Sequence, residues 1–259
     1  MSTALEVQSL SVNFGGLAAL KQVSFALTEG EVVGLIGPNG AGKTTLFNCL
    51  SGYLTPTHGA IRFRGNPVTS LAPHQITALG MARTFQTSRV FRRMTVMDHL
   101  LVGQYLRQRT GFWAAVLRPA WVAREEAEAR EHGRKTLELF GEDLLPFLDD
   151  YADILSYANK RRLEIARALV GEPRLLLLDE PTAGMNPHES AAVVQLMRTI
   201  QRAGVTVLLI EHDMQVIMGV SDRIVVLDHG EKIAEGPPEE IRRNEDVIRA
   251  YMGRRHTGA

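Results

Sequence analysis

A glycine-rich segment near position 40 has the composition of a phosphate-binding loop. It reads Gly37-Pro38-Asn39-Gly40-Ala41-Gly42-Lys43-Thr44, and so fits the pattern in which two glycines separated by four residues precede a lysine and a hydroxyl residue. Glycines let backbone N–H groups surround an anion, and the helix that follows points its positive end at the same anion. We expect Lys43 to reach the β- and γ-phosphates and the Thr44 hydroxyl to ligate Mg²⁺. The alternative is a glycine-rich strand–helix turn that binds nothing.

Two carboxylates follow an apolar run later in the chain. Residues 175–178 are four leucines, and Asp179 and Glu180 come directly after them. A buried strand with this ending places Asp179 at the carboxyl edge of a sheet, where open α/β sheets bind ligands. We expect Asp179 to hold Mg²⁺ through water and Glu180 to orient and polarise the attacking water, because phosphoryl transfer depends on positioning and electrostatics. An Asp-Glu pair after a strand is common in structural roles, so this interpretation depends on the phosphate-binding loop.

A second apolar run, residues 207–210, ends in Glu211 and His212. A single histidine after a strand is more often structural than catalytic. His212 gains significance because its strand should lie beside the strand that ends at Glu180. Its imidazole would then contact the γ-phosphate and the water.

Short strands, and a helix that connects two of them, are predicted to position these groups. Strands are expected at 4–10, 23–27 and 31–36, with turn residues between them. The runs at 175–178 and 205–210 do not alternate, which is typical of a parallel sheet covered on both faces. Between those two runs, Asn186-Pro187 is expected to begin a helix, with a capping side chain and a proline in the first turn.

The middle of the chain has a different pattern. From about residue 95 to residue 169 there is almost no strand signal, and 120–140 is rich in Ala, Glu and Arg, which favour helix. We therefore predict a helical subdomain there. After it, the pattern indicates a strand at 223–227 and small helices from Pro238 and from Asp246.

Composition limits the remaining possibilities. A chain of 259 residues suffices for one large α/β domain with an inserted subdomain. Lys plus Arg and Asp plus Glu number 29 each, so net charge supplies no attraction for nucleic acid or acidic lipid. Cys49 is the single cysteine, which excludes an internal disulfide and a cysteine-based zinc site. Residues 1–10 do not resemble a signal peptide, and no apolar run approaches the ~20 residues needed to span a bilayer, so a soluble chain is expected.

In this order, the motifs resemble the ATP-binding subunits of ABC transporters over nearly the whole chain. The matching positions beyond those above are Phe14 as the aromatic residue that stacks on adenine, Thr45 at the end of the Walker A loop, Gln86 as the Q-loop glutamine, 155–159 as the signature segment, 183–186 as the D-loop, and His212 as the switch histidine. The resemblance implies ATP and Mg²⁺ as cofactors. It also implies that Gln86 serves both catalysis and the metal.

The fold that the resemblance implies is α/β: a P-loop NTPase with a RecA-like core, an antiparallel β subdomain and an inserted helical subdomain. All 259 residues would form a single ABC ATPase domain. The core and β subdomain would cover about 1–90 and 164–259, and the helical subdomain about 91–163, which agrees with the strand-poor middle.

Several passages are similar to the LivG type of ATP-binding subunit from branched-chain amino-acid importers. These passages are 81–86, 161–168, 183–187, 210–214 and 233–253, together with the long insert between Gln86 and Ser156. The likeness implies hydrolysis of Mg-ATP that powers import of branched-chain amino acids. The alternatives are the ATPase of lipopolysaccharide export or another ABC system, a non-transport ABC ATPase of translation or DNA repair, and a nucleotide-binding regulator without turnover.

The signature segment departs from the usual Leu-Ser-Gly-Gly-Gln of the family. Here Leu155 is followed by Ser156, Tyr157, Ala158 and Asn159. Alanine keeps the backbone N–H, but it would cost roughly 1–2 kcal/mol if the backbone there needs φ above zero. Ser156 and the start of the next helix are still expected to grip the γ-phosphate bound to an opposite subunit, with a weakened hold.

The resemblance also implies partners and a location. A second ABC ATPase subunit, either a copy or a paralogue, would complete each site, and transmembrane permease subunits would hold the pair at the cytoplasmic face of the inner or plasma membrane. A solute-binding protein would be an indirect partner, and no nucleic acid is expected. Phe91 and its neighbouring arginines, Arg89, Arg92 and Arg93, are candidate permease contacts.

Two further features have simple structural interpretations. The run Lys160-Arg161-Arg162 is most simply a solvated helix face. Cys49 is expected to be a small buried apolar residue.

Overall fold

A computed structural model describes residues 2–85, 90–107 and 119–252. An antiparallel sheet has the strand order β2-β1-β4-β5. Its strands are β1 (Thr3–Phe14), β2 (Leu17–Thr28), β4 (His58–Phe63) and β5 (Asn66–Pro67). The first two strands form a hairpin through Gly15-Gly16, and Gly15 has φ of 56°, which glycine adopts without the cost of a Cβ.

A six-stranded sheet has the order β10-β9-β3-β8-β7-β6. Its strands are β3 (Val32–Ile36), β6 (Met81–Arg83), β7 (Leu175–Asp179), β8 (Thr206–Ile210), β9 (Arg223–Asp228) and β10 (Glu231–Gly236). The five neighbouring strands β9, β3, β8, β7 and β6 are parallel, and β10 adds an antiparallel edge strand. The carboxyl ends of β3, β7 and β8 therefore lie at one edge.

Nine helices are found in the described ranges. They are α1 (Lys43–Leu50), α2 (Pro73–Ala78), α3 (Val96–Gly103), α4 (Ala120–Glu138), α5 (Tyr157–Leu169), α6 (Pro187–Arg202), α7 (Met214–Val220), α8 (Pro238–Arg243) and α9 (Glu245–Met252). The start of α6 is capped as expected: the Asn186 side chain accepts from the Glu189 N–H, and the Glu189 carboxylate accepts from the Asn186 N–H. Within the described part of the chain, no helix is long and apolar enough to cross a membrane.

Both faces of the six-stranded sheet are covered, which explains the unbroken leucine run. Leu176 and Leu178 pack in a core with side chains of α3, α5, α6 and α7. Leu175 and Leu177 point to the opposite face and pack with α1 and the antiparallel sheet. All five residues of β7 are buried, so apolar side chains are needed at successive positions.

The expected α/β architecture is confirmed, and the helical middle is present as α3, α4 and α5 with three short 3₁₀ helices between them. The proposed subdomain limit at 163 lies inside α5, and the division of the chain into subdomains stays a prediction. The strand β6 is an addition, because three residues carry too short a pattern to be recognised.

The expectation that the basic run on α5 is solvated was wrong for two of its three residues. Arg161 and Arg162 are 3% and 7% exposed. Arg161 donates to the Phe85 carbonyl oxygen at 2.8 Å and pairs with Glu164 at 3.0 Å. Burial of such charges requires partners of this kind, and the partners come from segments that the helical pattern of α5 cannot reveal.

Candidate functional site

The phosphate-binding loop joins β3 to α1, and its shape requires glycine at both ends. Gly37 has φ of 151°, and a Cβ there would lie 2.0 Å from the Leu227 carbonyl oxygen. Gly42 has φ of 103°, and its Cβ would lie 2.8 Å from the Ala19 carbonyl oxygen. Any side chain at either position would force the backbone apart, so the loop is held against β9 and β2 at these two points.

Lys43 begins α1 with its ammonium folded back into the loop. The Nζ atom donates to the carbonyl oxygens of Gly37 at 2.6 Å and Pro38 at 3.1 Å. The residue is 7% exposed. The loop therefore holds the lysine as part of its own structure, with its charge at the start of the helix.

An open cleft of about 820 Å³ adjoins the loop. The lining residues most relevant to the predicted site are Phe14, Asn39, Gly40, Ala41, Gly42, Lys43, Thr44, Thr45, Glu180 and His212. Phe14 ends β1 and is 51% exposed, so much of this aromatic side chain is open to contact with a ligand. The structure thus brings together most of the predicted ATP-binding and catalytic residues. Pro38 is buried in the loop behind them.

Glu180 and His212 are in direct contact. The His212 Nε2 atom and the Glu180 Oε1 atom lie 2.8 Å apart, because β7 and β8 pair in parallel with Asp179 opposite Ile210. Glu180 has φ of 49°, a left-handed conformation that is strained for a residue other than glycine and that concentrates at functional sites. Its N–H donates to the Ile210 carbonyl oxygen at 2.9 Å, which holds it in place.

Glu211 is a supporting residue whose role the sequence did not reveal. It is 4% exposed, and its Oε1 atom accepts from the N–H of Thr182 at 2.8 Å and from the Thr182 hydroxyl at 2.6 Å. Its Oε2 atom accepts from the His212 N–H at 3.1 Å. The carboxylate therefore ties the turn after Glu180 to the residue after β8. The sequence signal that could have indicated this role is the position of an acidic residue between a buried strand and a histidine.

Asp179 is 5% exposed and pairs with a second residue that the sequence did not single out, Arg83. Burial raises the pKa of the Asp179 carboxyl, and the Arg83 guanidinium, 3.2 Å from its Oδ2 atom, opposes that rise. Thr84 contributes a hydroxyl that accepts from the Asp179 N–H at 3.3 Å.

The donor set at this edge fits Mg²⁺. Thr44 and Asp179 offer a hydroxyl and a carboxylate oxygen from α1 and β7. Across the described ranges, no group of three or more His, Cys, Asp or Glu side chains is arranged to hold a metal. A hydroxyl and a carboxylate suit magnesium, because it prefers oxygen ligands, keeps several waters, and binds through one or two carboxylates plus substrate phosphates. The predicted third contributor, Gln86, lies outside the described residues.

The signature segment forms the start of α5. The Ser156 hydroxyl caps the helix by accepting from the Asn159 N–H at 3.1 Å. Ala158 is the second residue of α5 and does not have positive φ. The condition under which its Cβ would be strained is therefore not met, which removes the reason for a weakened hold. The Tyr157 ring lies beside Gly184, where a Cβ would meet its Cε1 atom at 3.3 Å. Among the described residues that line the cleft, none belongs to 155–159.

Helix α9 also contacts the loop. The Tyr251 side chain lies near the backbone of Gly37; burial raises the pKa of this phenol, and the interaction with the Gly37 backbone opposes the rise. This contact joins the end of the described chain to the first glycine of the loop. It was not foreseen, since α9 follows Gly37 by more than two hundred residues in the sequence.

Comparison with known proteins agrees with this arrangement. A family model described as ABC transporter matches residues 20–183, and one described as branched-chain amino acid ATP-binding cassette transporter matches residues 231–257. The chain is 47% identical over 250 residues to the high-affinity branched-chain amino acid transport ATP-binding protein LivG of Salmonella typhimurium, covering 96% of this chain and 97% of that protein. The protein BraF of Pseudomonas aeruginosa, with the same description, is 46% identical over the same coverage.

The fold has close counterparts among solved structures. A crystal structure of the ADP conformation of MJ1267, described as an ATP-binding cassette of an ABC transporter, matches with a TM-score of 0.85 at 30% identity and covers 98% of this chain and 100% of that one. The match spans both sheets and the helical middle. The chain therefore belongs to the ABC transporter family, as an ATP-binding cassette whose close relatives are of the LivG type.

Proposed function

We propose that this chain hydrolyses Mg-ATP at a site shared with a second ATPase subunit and thereby powers import of branched-chain amino acids. The observation that carries the catalytic part is the 2.8 Å contact between Glu180 and His212 at the cleft that adjoins the loop. A carboxylate that accepts a proton from water and an imidazole beside it are suited to split the terminal phosphate of a nucleotide bound in the loop.

The proposed reaction assigns a task to each element of the chain. Phe14 stacks on the adenine, and the loop N–H groups together with Lys43 hold the β- and γ-phosphates. Glu180 accepts a hydrogen bond from the attacking water and takes its proton as the water oxygen bonds to the γ-phosphorus and the bond to ADP breaks. His212 holds the Glu180 carboxylate and contacts the γ-phosphate. Each step depends on positioned charge rather than on a covalent intermediate.

Magnesium, when bound, neutralises the charge that develops on the phosphate oxygens. Thr44 would hold it directly, Asp179 through water, and Gln86 would be the third contributor. The Asp179 side chain is buried, and its Oδ2 atom lies 3.2 Å from the Arg83 guanidinium.

A second subunit is needed because the signature residues lie away from the cleft of their own chain. The start of α5 offers an N-terminus whose first turn has no acidic residue, and helix N-termini favour anions. Ser156, Tyr157, Ala158 and Asn159 would therefore contact the γ-phosphate held by the partner subunit. That partner is a copy of this chain or a paralogous ATPase.

Permease subunits are the partners proposed for a groove between the six-stranded sheet and the helical middle. An open groove of about 420 Å³ is lined in part by Tyr53, Phe85, Val102, Tyr105 and Leu106. Tyr105 and Leu106 are 71% and 52% exposed. Such a groove fits the apolar face of a short amphipathic helix. A permease that offers such a helix would hold this chain at the cytoplasmic face of the inner or plasma membrane.

Replacing Phe91 with Asp is expected to abolish assembly with the permeases. Phe91 precedes α3 and is 55% exposed, so its change should leave folding intact while placing a charge in an apolar contact. Its backbone N–H donates to the His99 Nε2 atom at 2.9 Å, and this bond persists in the variant. Co-purification of the variant with tagged permeases measures assembly. Unchanged recovery of the complex, with unchanged binding of ATP, would remove Phe91 from the interface.

Branched-chain amino acids are proposed as cargo because LivG and BraF are described by that cargo. Proteoliposomes that contain this chain and its permeases are expected to accumulate leucine when Mg-ATP is enclosed in their lumen and the solute-binding protein is added outside. The matched control contains the Glu180→Gln chain. Uptake of an unrelated solute in place of leucine would contradict the proposed cargo but not the assignment of the chain as an ATPase.

A further inference from the structure

Arg83 links β6, α1 and β7, whose relative positions matter for the proposed reaction. It ends β6, pairs opposite Leu177 of β7, and its side chain is 7% exposed. Its Nη1 atom donates to the Asn48 Oδ1 atom and to the Ser51 hydroxyl, both at 2.8 Å. Its Nη2 atom donates to the Asp179 Oδ2 atom at 3.2 Å. One guanidinium therefore connects α1, which starts at Lys43, with the carboxylate of the last residue of β7.

Aromatic rings enclose the same guanidinium. Its central carbon lies 5.1 Å from the ring centre of Phe85, 5.5 Å from that of Phe47 and 6.0 Å from that of Tyr53. Tyr53 and Phe85 also contact each other edge to face at 5.6 Å. A planar cation held between rings can move little, so the direction of its hydrogen bonds is defined by packing.

We infer that Arg83 is a positioning residue that sets the orientation of Asp179 toward the metal. The inference rests on the Mg-ATP site proposed above. Partners that orient a metal-facing carboxylate govern metal affinity although they do not touch the metal. The planar fork of arginine reaches Asn48 and Asp179 together, whereas the single ammonium of lysine cannot span both in the same geometry.

The groove for the permease gives this arrangement a second consequence. Tyr53, Phe85 and Arg83 itself line the groove of about 420 Å³. An occupant that shifts either ring would also shift the guanidinium, and with it Asp179. Arg83 therefore provides a direct physical connection between the groove and the metal-facing carboxylate.

The test is the affinity of Mn²⁺ for the complex of the chain with the non-hydrolysable analogue AMP-PNP, read by electron paramagnetic resonance. Arg83→Lys, which keeps the charge and loses the fork, is expected to raise the Mn²⁺ dissociation constant about 10-fold. Binding of AMP-PNP without metal is expected to stay within about twofold of the parental value, because the phosphate-binding loop is unchanged. Arg223→Lys is the matched control, since Arg223 forms ion pairs with Glu31 and Glu235 outside the cleft.

Asn48→Ala removes one acceptor of the fork and leaves the Arg83–Asp179 pair in place, so it is expected to weaken Mn²⁺ binding in the same direction by a smaller factor. An unchanged Mn²⁺ constant in a folded Arg83→Lys chain would overturn the inference; should that chain fail to fold, an unchanged constant in Asn48→Ala would do so. If the parental complex binds Mn²⁺ no better than free AMP-PNP does, the proposed metal site fails as well, which separates the two outcomes.

Discussion

Glu180→Gln is expected to lower the rate of ATP hydrolysis by a factor of about 10²–10⁴, the usual contribution of a positioned proton acceptor. Glutamine has nearly the same shape, and its amide can still hydrogen bond to His212, which lies 2.8 Å from the present carboxylate. What it loses is the ability to take a proton from water. Steady-state phosphate release under saturating Mg-ATP measures the effect.

Binding of nucleotide is expected to survive this substitution, because the loop and Lys43 are untouched. A matched control is Glu138→Gln on the surface of α4, where the carboxylate forms an exposed ion pair with Arg134; its rate should change by less than about twofold. If Glu180→Gln kept more than a tenth of the parental rate, Glu180 would not be the proton acceptor. If the parental chain, assembled with its partner subunits, showed no turnover, the regulator interpretation would be favoured instead.

Lys43→Met is expected to weaken nucleotide binding by about 10- to 100-fold, since hydrogen bonds to charged groups contribute about 1.5–3 kcal/mol. The ammonium is already held at the loop by the carbonyl oxygens of Gly37 and Pro38, so little ordering remains to be done when phosphates arrive. Methionine fills a similar volume and keeps the apolar stem. Titration with a fluorescent ATP analogue measures the affinity.

Lys135→Met provides the control for net charge, because Lys135 is an exposed residue of α4 whose ammonium lies 3.8 Å from the Glu131 carboxylate. Equal weakening in the two variants would point to a general loss of positive charge. An affinity of Lys43→Met within a factor of about two of the parental chain would contradict the assignment of the loop. Thermal unfolding of each variant separates lost binding from lost structure.

Several elements were predictable because their signals are local. The loop from Gly37 to Thr44 carries its chemistry in consecutive residues. The start of α6 follows from Asn186 and Pro187, and the absence of alternation in β7 indicates cover on both faces. His212 was placed beside Glu180 by the expectation that two apolar strands are neighbours, which the pairing of β7 with β8 confirms.

Other features depend on contacts between distant segments and have no local signal. Arg161 looks like part of a solvated basic run until the Phe85 carbonyl, 76 residues away, is known to accept from it. Arg83 precedes its partner Asp179 by 96 residues, and Tyr251 reaches Gly37 from the last described helix. The cost considered for Ala158 applied only if its backbone needs a positive φ. The residue lies in the first turn of α5, where a negative φ suits any side chain.

Every role proposed for the chain depends on the loop before Lys43 binding the triphosphate whose terminal group is split beside Glu180. Isothermal titration calorimetry of the purified chain with AMP-PNP and Mg²⁺ measures this binding. We expect saturable heat at a stoichiometry of one nucleotide per chain, strongly reduced in Lys43→Met and retained in Glu180→Gln. A parental chain that is folded and yet takes up no nucleotide in the presence of Mg²⁺ would contradict it.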